Sequence, residues 1–207
     1  MTEQNKIKAQ KPIIKAILKN FETVEAKRKT VLYSLIGAGI FILIAMIPKP
    51  FTMVGLFKFG LLPALAVIAV VGAIRGPIAG LLTGYIGTVL QDLIFFTAIV
   101  TWTLPSLAYG FLGFIVGLST YDLAKERSLI KLSAYSGVGF ILSTFLILLI
   151  GIAIESISVL VEIAFAFLPL LTVGVPSVVL LTPLYAIIWQ YLKQKPFFSK
   201  LFQKSSN

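Results

Sequence analysis

Charged and amide side chains within or beside apolar segments are the residues of this sequence best placed to do chemistry. A charge inside a bilayer is costly, so such a residue is a functional candidate by default. Together with two aromatic residues, these side chains fall at one predicted end of the apolar segments: Lys58, Gln91, Asp92, Trp102, Tyr109, Glu155 and Glu162. We interpret them as a candidate substrate-binding pocket in the outer part of a membrane protein.

Three of these residues also have a purely structural explanation. Glu155 would mark the end of a helix at the membrane interface, and Trp102 would be an interface anchor. Asp92 would be satisfied by an ion pair with Lys49 or Lys58. The sequence leaves both explanations open.

The composition indicates a membrane protein and excludes several kinds of catalytic chemistry. The chain has 207 residues, of which 58% are hydrophobic and 13% charged, whereas a soluble domain carries about 25% charged residues. Its mean hydropathy is +0.99. The absence of Cys and His excludes disulfides, Cys/His metal sites and imidazole bases. No Gly-Lys dipeptide occurs, so a Walker A loop is excluded and a partner would hydrolyse any ATP. We predict no enzyme activity, no cofactor and no metal.

The distribution of charge predicts the topology. The net charge is +10, but the Lys and Arg residues lie in tails and short loops, a pattern typical of the positive-inside rule and not of nucleic-acid binding. With six spans, sixteen of the eighteen Lys and Arg residues face one side, and only Lys49 and Lys58 lie outside. We therefore predict a multi-pass cell-membrane protein with both termini in the cytoplasm.

The apolar segments predict an all-α integral membrane protein, a six-transmembrane-helix bundle within residues 31–192. The predicted helices are residues 31–47, 61–74, 77–96, 105–121, 132–154 and 170–192. Residues 48–60 are predicted to form an aromatic outer loop, and residues 155–169 an outer cap or half-helix because they are too few to cross the bilayer. Residues 1–30 are predicted to be a cytoplasmic basic segment, either an amphipathic helix or a simple topogenic tail, and residues 193–207 a cytoplasmic basic tail.

Residues 61–96 are predicted to form a short helix, a one-turn break and a long helix. The break falls at Arg75-Gly76-Pro77, because Gly allows a strained turn and Pro suits the first position of a helix. The short helix spans ~21 Å against a hydrocarbon core of ~30 Å, so it leaves space near one membrane face. Small residues repeat along the long helix and along the next one, which predicts close helix packing: Gly76, Gly80, Gly84 and Thr88, then Gly110, Gly113 and Gly117.

The order of these features resembles the S components of energy-coupling factor (ECF) transporters, the substrate-capturing membrane subunits for vitamins and related micronutrients. The resemblance is carried by Lys58, the Leu-Pro-Ala-Leu-Ala run at 62–66, Gly76-Pro77, Ala79-Gly80 and Val89-Leu90-Gln91. Residues 176–191 are similar to the last helix of the riboflavin-type members. The Asn and Lys that those members carry near the start of that helix are absent here.

This resemblance implies a protein that binds a small-molecule micronutrient from the outside, beneath the loop between its first two helices. It also implies a membrane coupling subunit and two ATPase subunits as partners. The first helix would contact the coupling subunit through Ser34 and Ala38, where the family carries two alanines. The alternative interpretation is a non-transporting membrane scaffold protein of the MreD type, which would have no use for an outer cluster of polar residues.

Overall fold

The described residues form a bundle of helices with one small β-hairpin. The computed structural model describes residues 24–47, 51–55, 57–96, 104–154 and 158–194. The elements, in chain order, are α1 (Val24–Ala45), β1 (Thr52–Val54), β2 (Phe57–Phe59), α2 (Pro63–Arg75), α3 (Pro77–Phe96), α4 (Leu104–Gly117), α5 (Glu126–Ile154), α6 (Val159–Glu162), a π-helix (Ile163–Phe167) and α7 (Leu168–Gln194).

The lengths of the helices confirm an all-α membrane protein. Within the described residues, four helices are long and apolar enough to cross a membrane: Lys27–Ala45, Pro77–Phe95, Glu126–Ile150 and Leu168–Gln194. Two shorter apolar helices, Pro63–Arg75 and Ser106–Gly117, accompany them. A helix of 13 residues such as α2 extends only about 20 Å, less than a hydrocarbon core. The six-span topology therefore stays a prediction.

The short helix α2 lies at the centre of the bundle. Every residue from Ala64 to Gly72 is buried, and α2 packs against α1, α3, α4 and α7. Its small residues allow this position, because Gly72 lets the α2 backbone approach the Gly113 backbone of α4 closely. The remaining helices pack next to one another around α2, with α1 beside α3, α3 beside α4, α4 beside α5 and α5 beside α7.

The break between α2 and α3 is the one predicted from the sequence. Gly76 has φ +106°, a conformation that residues with a side chain adopt only under strain. Its N–H donates to the Gly72 carbonyl at 2.8 Å, and Pro77 begins the next helix. The chain thus reverses here, so that α2 and α3 run antiparallel. We call the end of the bundle at this break the Gly76 end, and the end with the β-hairpin the hairpin end.

The two predicted rows of small residues pack against each other. A Cβ added to Gly113 would meet the Gly80 backbone at 2.5–2.6 Å, and one added to Gly84 would meet the Gly110 backbone at 2.5–2.7 Å. The Gly72 position on α2 faces the Gly113 backbone as well. The three helices α2, α3 and α4 therefore meet backbone to backbone, which is how helices associate closely in lipid.

Buried hydroxyl groups are mostly satisfied within their own helices. Six of them donate to the carbonyl four residues earlier: Ser34, Thr83, Thr88, Ser136, Thr144 and Ser177. A polar group in a bilayer has no water to bond, so this local bond lets a small hydroxyl occupy the tight contact between helices.

Several predicted boundaries were wrong. Helix α1 begins at Val24, so the last seven residues of the predicted basic segment are helical and continuous with the span; residues 1–23 lie outside the described residues. Helix α4 ends at Gly117 instead of reaching Tyr121. Helix α5 begins at Glu126 and not at Leu132, because an acidic residue in the first turn favours the helix despite its polarity.

The predicted outer loop and the predicted outer cap or half-helix contain short elements of secondary structure. The described part of residues 48–60 contains a two-stranded antiparallel hairpin, which hydropathy could not reveal in three-residue strands. Of the predicted cap, residues 155–157 lie outside the description. Ser158 caps α6, since its side chain accepts a hydrogen bond from the Val161 N–H, and the π-helix joins α6 to α7. The described cap residues are thus an extension of the last helix.

The close contact between Gly113 and Gly80 should contribute to the free energy of unfolding, and a matched glycine substitution elsewhere can separate this contribution from the effect of helix propensity. We expect Gly113→Ala to lower the free energy of unfolding by roughly 1–3 kcal/mol, because the added methyl group must push α3 from α4. Gly39→Ala is the control, since a Cβ there meets nothing within 4 Å and Ala favours a helix by up to about 1 kcal/mol. The measurement is thermal unfolding of both variants in detergent. Equal losses would show that the close contact is not what stabilises the bundle.

Candidate functional site

The β-hairpin lies at one end of the bundle, where β2 packs on α7. Its register pairs Thr52 with Phe59, Met53 with Lys58 and Val54 with Phe57, and Gly55 takes a positive φ of 62° in the turn. An isolated two-stranded hairpin is marginally stable in water. The hydrogen bonds that hold this hairpin against the helices are therefore essential to the candidate site.

Two hydroxyl groups of α7 anchor the hairpin and the start of α2. The Lys58 N–H donates to Thr172 Oγ1 at 3.2 Å, and the same hydroxyl lies 2.7 Å from the Lys58 carbonyl oxygen. One helical turn and a half further along, Ser177 Oγ accepts a hydrogen bond from the Leu62 N–H at 2.6 Å. Since strand β2 packs on α7, the covering loop is fixed to the last helix.

Lys58 belongs to this cover. Its Nζ lies 4.0 Å from the centroid of the Phe51 ring, a distance at which an ammonium group and an aromatic face attract. The side chain is partly exposed. Lys58 contacts Phe51 and Thr172. These contacts do not support the structural explanation in which Lys58 forms an ion pair with Asp92. Lys49, the other candidate partner, lies outside the described residues.

Asp92 lies inside the bundle near the hairpin end. It is 8% exposed and lies in the last part of α3, and the neighbouring Gln91 is partly buried. Tyr109 lies on α4 where the α4 backbone meets Gly84 of α3, about two helical turns from Asp92, and its side chain can extend toward Asp92. The orientation of α4 favours this, because helical side chains lean toward the N-terminus of their helix, and the N-terminus of α4 is at the hairpin end.

The remaining predicted site residues are not placed by the structure. Trp102 and Glu155 lie outside the described residues. Glu162 ends the short helix α6, at the hairpin end, and its side chain is not described. The predicted convergence of all seven residues therefore stays a prediction. Gln91 and Asp92 lie on α3, Tyr109 lies on α4, and Lys58 lies in the hairpin. Among the residues that the structure describes, no group of three acidic side chains is arranged to hold a metal ion.

Ser34 and Ala38 do not lie where a partner could reach them. Their exposed fractions are 0% and 1%, and Ser34 Oγ lies 2.8 Å from the Thr30 carbonyl and 3.2 Å from the Ala79 carbonyl of α3. The predicted contact of these two side chains with a coupling subunit does not fit this burial, because their small size serves the packing of α1 on α3. The outward face of α1 consists of Val31, Leu32, Leu35, Ile36, Ile40 and Leu43.

Sequence reasoning missed Thr172 and Ser177. A hydroxyl in an apolar helix most often bonds its own backbone, so residue type alone does not distinguish Thr172 and Ser177 from the other hydroxyls in the helices. The one available signal is that both lie in the first turns of a span that follows a predicted outer segment. Their role depends on residues more than a hundred positions earlier.

Comparison with known proteins gives one match over most of the chain and two local ones. The family model for "ECF-type riboflavin transporter, S component" matches residues 25–189. A UPF0397 protein of Streptococcus gordonii is 39% identical over 94 residues, 44% of this chain and 46% of the relative. A UPF0397 protein of Clostridium perfringens is 29% identical over 104 residues, 50% of this chain and 54% of the relative. The chain thus spans about half the length of the curated relatives it matches. No solved structure gives a significant match.

The anchoring hydroxyl predicts a local effect on the hairpin. We expect Thr172→Val to leave the bundle folded but to speed hydrogen exchange at the Lys58 amide by roughly 2- to 10-fold, the equivalent of one lost hydrogen bond. Mass-spectrometric hydrogen exchange of residues 51–60 measures this. The control is Ser133→Ala, which removes a hydroxyl that donates to the Val179 carbonyl at 2.7 Å. An unchanged hairpin in Thr172→Val, or an equal change in the control, would contradict the anchoring role.

Proposed function

The chain belongs to the family of ECF-type riboflavin transporter S components, whose model matches residues 25–189, and from this premise we propose that it captures a vitamin or related micronutrient from outside the cell. The family is one of transporter subunits and not of enzymes. The observation that carries the proposal is the extent of this match, which covers every described helix that contributes to the candidate site.

The arrangement at the hairpin end supports capture from that side. The hairpin forms a cover fixed to α7, and Asp92 lies inside the bundle near the same end. The positive-inside pattern assigns the Gly76 end to the cytoplasm, so the hairpin end would face outward. Buried polar groups and an anchored hairpin at the same end of a bundle suit a solute-binding protein.

In this proposal the described polar residues have separate roles. The Asp92 carboxylate accepts hydrogen bonds from the solute, with the Tyr109 hydroxyl as its neighbour. Gln91 supplies an amide on the same helix, and Lys58, whose Nζ lies over the Phe51 ring within the hairpin, contacts the solute from the hairpin side. Trp102, Glu155 and Glu162 stay proposed members of the same wall. Riboflavin is the substrate in the family's description, and we extend the proposal to vitamin-like solutes in general.

We propose further that the chain delivers its solute to a membrane coupling subunit and two ATPase subunits. The sequence has no Walker A loop of its own, so concentration against a gradient needs energy from elsewhere. Because Ser34 and Ala38 are buried, we propose that any contact of α1 with the coupling subunit uses its outward apolar face. The family assignment favours this transporter role over a membrane scaffold of the MreD type.

Asp92 tests the binding site. If it bonds the solute, Asp92→Ala removes a charge-assisted hydrogen bond worth roughly 1.5–3 kcal/mol, which lowers affinity about 10- to 150-fold. The measurement is calorimetry or tryptophan fluorescence against a vitamin panel that begins with riboflavin. Thr83→Val is the control, because Thr83 is fully buried on the same helix near its opposite end and should change stability without changing affinity. Unchanged affinity in Asp92→Ala, once the folded fraction is measured, would leave Asp92 with a structural role only.

The second test concerns energy coupling. Purified chain in liposomes should bind its solute but not accumulate it, and accumulation should appear only when the coupling subunit and ATPases are incorporated and ATP is supplied. Radiolabelled uptake with and without the partner subunits measures the difference. Accumulation by the chain alone would contradict the proposed dependence on an ATP-driven module.

A further inference from the structure

The turn between α4 and α5 forms a basic depression on the Gly76 end of the bundle. Its volume is about 470 Å³, and its lining includes three cations, Lys125, Arg127 and Lys131, and one carboxylate, Asp122. The lining therefore carries a net positive charge. We call this feature the basic depression; it lies far from the candidate solute site, because α4 leads from the hairpin end to the Gly76 end.

The cations of the basic depression differ in their partners. Lys125 Nζ lies 3.0 Å from the Asp122 carboxylate, and hydrogen bonds from Lys125 and from the Ala124 N–H lower the pKa of Asp122. Arg127 is exposed and forms no ion pair with another described residue. One of the three charges is thus neutralised by Asp122, and the other two can meet an anion.

Lys131 is held in place by aromatic rings. Its Nζ lies 5.5 Å from the Tyr121 ring and 5.6 Å from the Tyr135 ring, and these two rings meet edge to face with centroids 6.4 Å apart. The same Nζ is 3.5 Å from the Thr120 carbonyl. A cation positioned over two rings is pre-oriented, so binding an anion would require little further ordering.

An exposed apolar stripe continues from Lys131 along α5. Its members recur every three or four residues and so share one face of the helix: Tyr135, Val138, Leu142, Phe145 and Leu149, with exposed fractions between 41% and 55%. We call this the α5 stripe. Its first part, from Lys131 to Leu142, extends about 17 Å at 1.5 Å per residue, comparable to one leaflet, half of the ~30 Å hydrocarbon core.

We propose that the basic depression and the α5 stripe together bind one anionic phospholipid. The lipid phosphate lies against Arg127 and Lys131, and an acyl chain follows the α5 stripe. The continuity of the two surfaces favours a lipid over a soluble phosphate, which would use the depression alone. The positive-inside pattern assigns this end to the cytoplasmic leaflet, whose anionic lipids attract basic residues. The proposal does not depend on the identity of the transported solute.

Native mass spectrometry of delipidated protein tests the proposal. The protein is titrated with phosphatidylglycerol, with phosphatidylcholine and with inorganic phosphate. We expect tighter binding of phosphatidylglycerol than of either other probe. The double substitution Arg127→Ala/Lys131→Ala should weaken phosphatidylglycerol binding about fivefold per removed cation, roughly 25-fold in all.

Arg28→Ala is the matched control. Arg28 is an exposed cation near the start of α1, and it does not line the basic depression. It lies at the same end of the bundle, because Ser34 on α1 meets Ala79 near the start of α3. Unchanged phosphatidylglycerol binding in this control supports a defined site. An equal loss in the control, equal binding of phosphatidylcholine, or equal binding of inorganic phosphate would each overturn the proposal. Thermal unfolding of each variant checks that the fold is retained.

Discussion

The structure depends on the backbone contact among α2, α3 and α4. In lipid, apolar side chains gain nothing by leaving the acyl chains, so helices associate through close packing instead of through the hydrophobic effect. Gly72, Gly80 and Gly113 remove the side chains that would hold the three backbones apart. Because α2 is also buried on all sides, the position of each surrounding helix follows from this central contact.

The central contact determines where polar groups can be placed. A tight bundle has room only for small hydroxyls that bond their own helix, and most described hydroxyls in the interior do so. Asp92 lies away from the glycine contact, nearer the hairpin end. At that end α2 begins late, at Pro63, and the hairpin precedes it. The hairpin thus occupies the end at which the short central helix begins, and hydrogen bonds to Thr172 fix it to α7.

The two ends of the bundle carry different chemistry. The hairpin end combines a buried carboxylate, a phenol and a cover, whereas the Gly76 end carries the basic turn and the charged start of α1. This asymmetry matches a subunit of an uptake transporter, which must recognise a solute on one side and remain oriented and anchored at the other. The assignment to the S-component family rests on the family match, and the asymmetry supports the proposed capture of a solute at the hairpin end.

The sequence by itself determined the class of the protein, the helix break at Gly76-Pro77 and the close packing of two glycine rows, because apolar length, turn chemistry and residue spacing act locally. Only the tertiary structure decided which neighbour each face meets. The family resemblance implied that Ser34 and Ala38 contact a coupling subunit, whereas Ser34 meets Ala79 of α3 in the same chain. The hairpin was invisible because its strands are three residues long, and its anchor Thr172 lies 114 positions from Lys58. Apolar helices in lipid carry little pattern that identifies their neighbours, so contacts at that separation depend on the packing of the whole bundle.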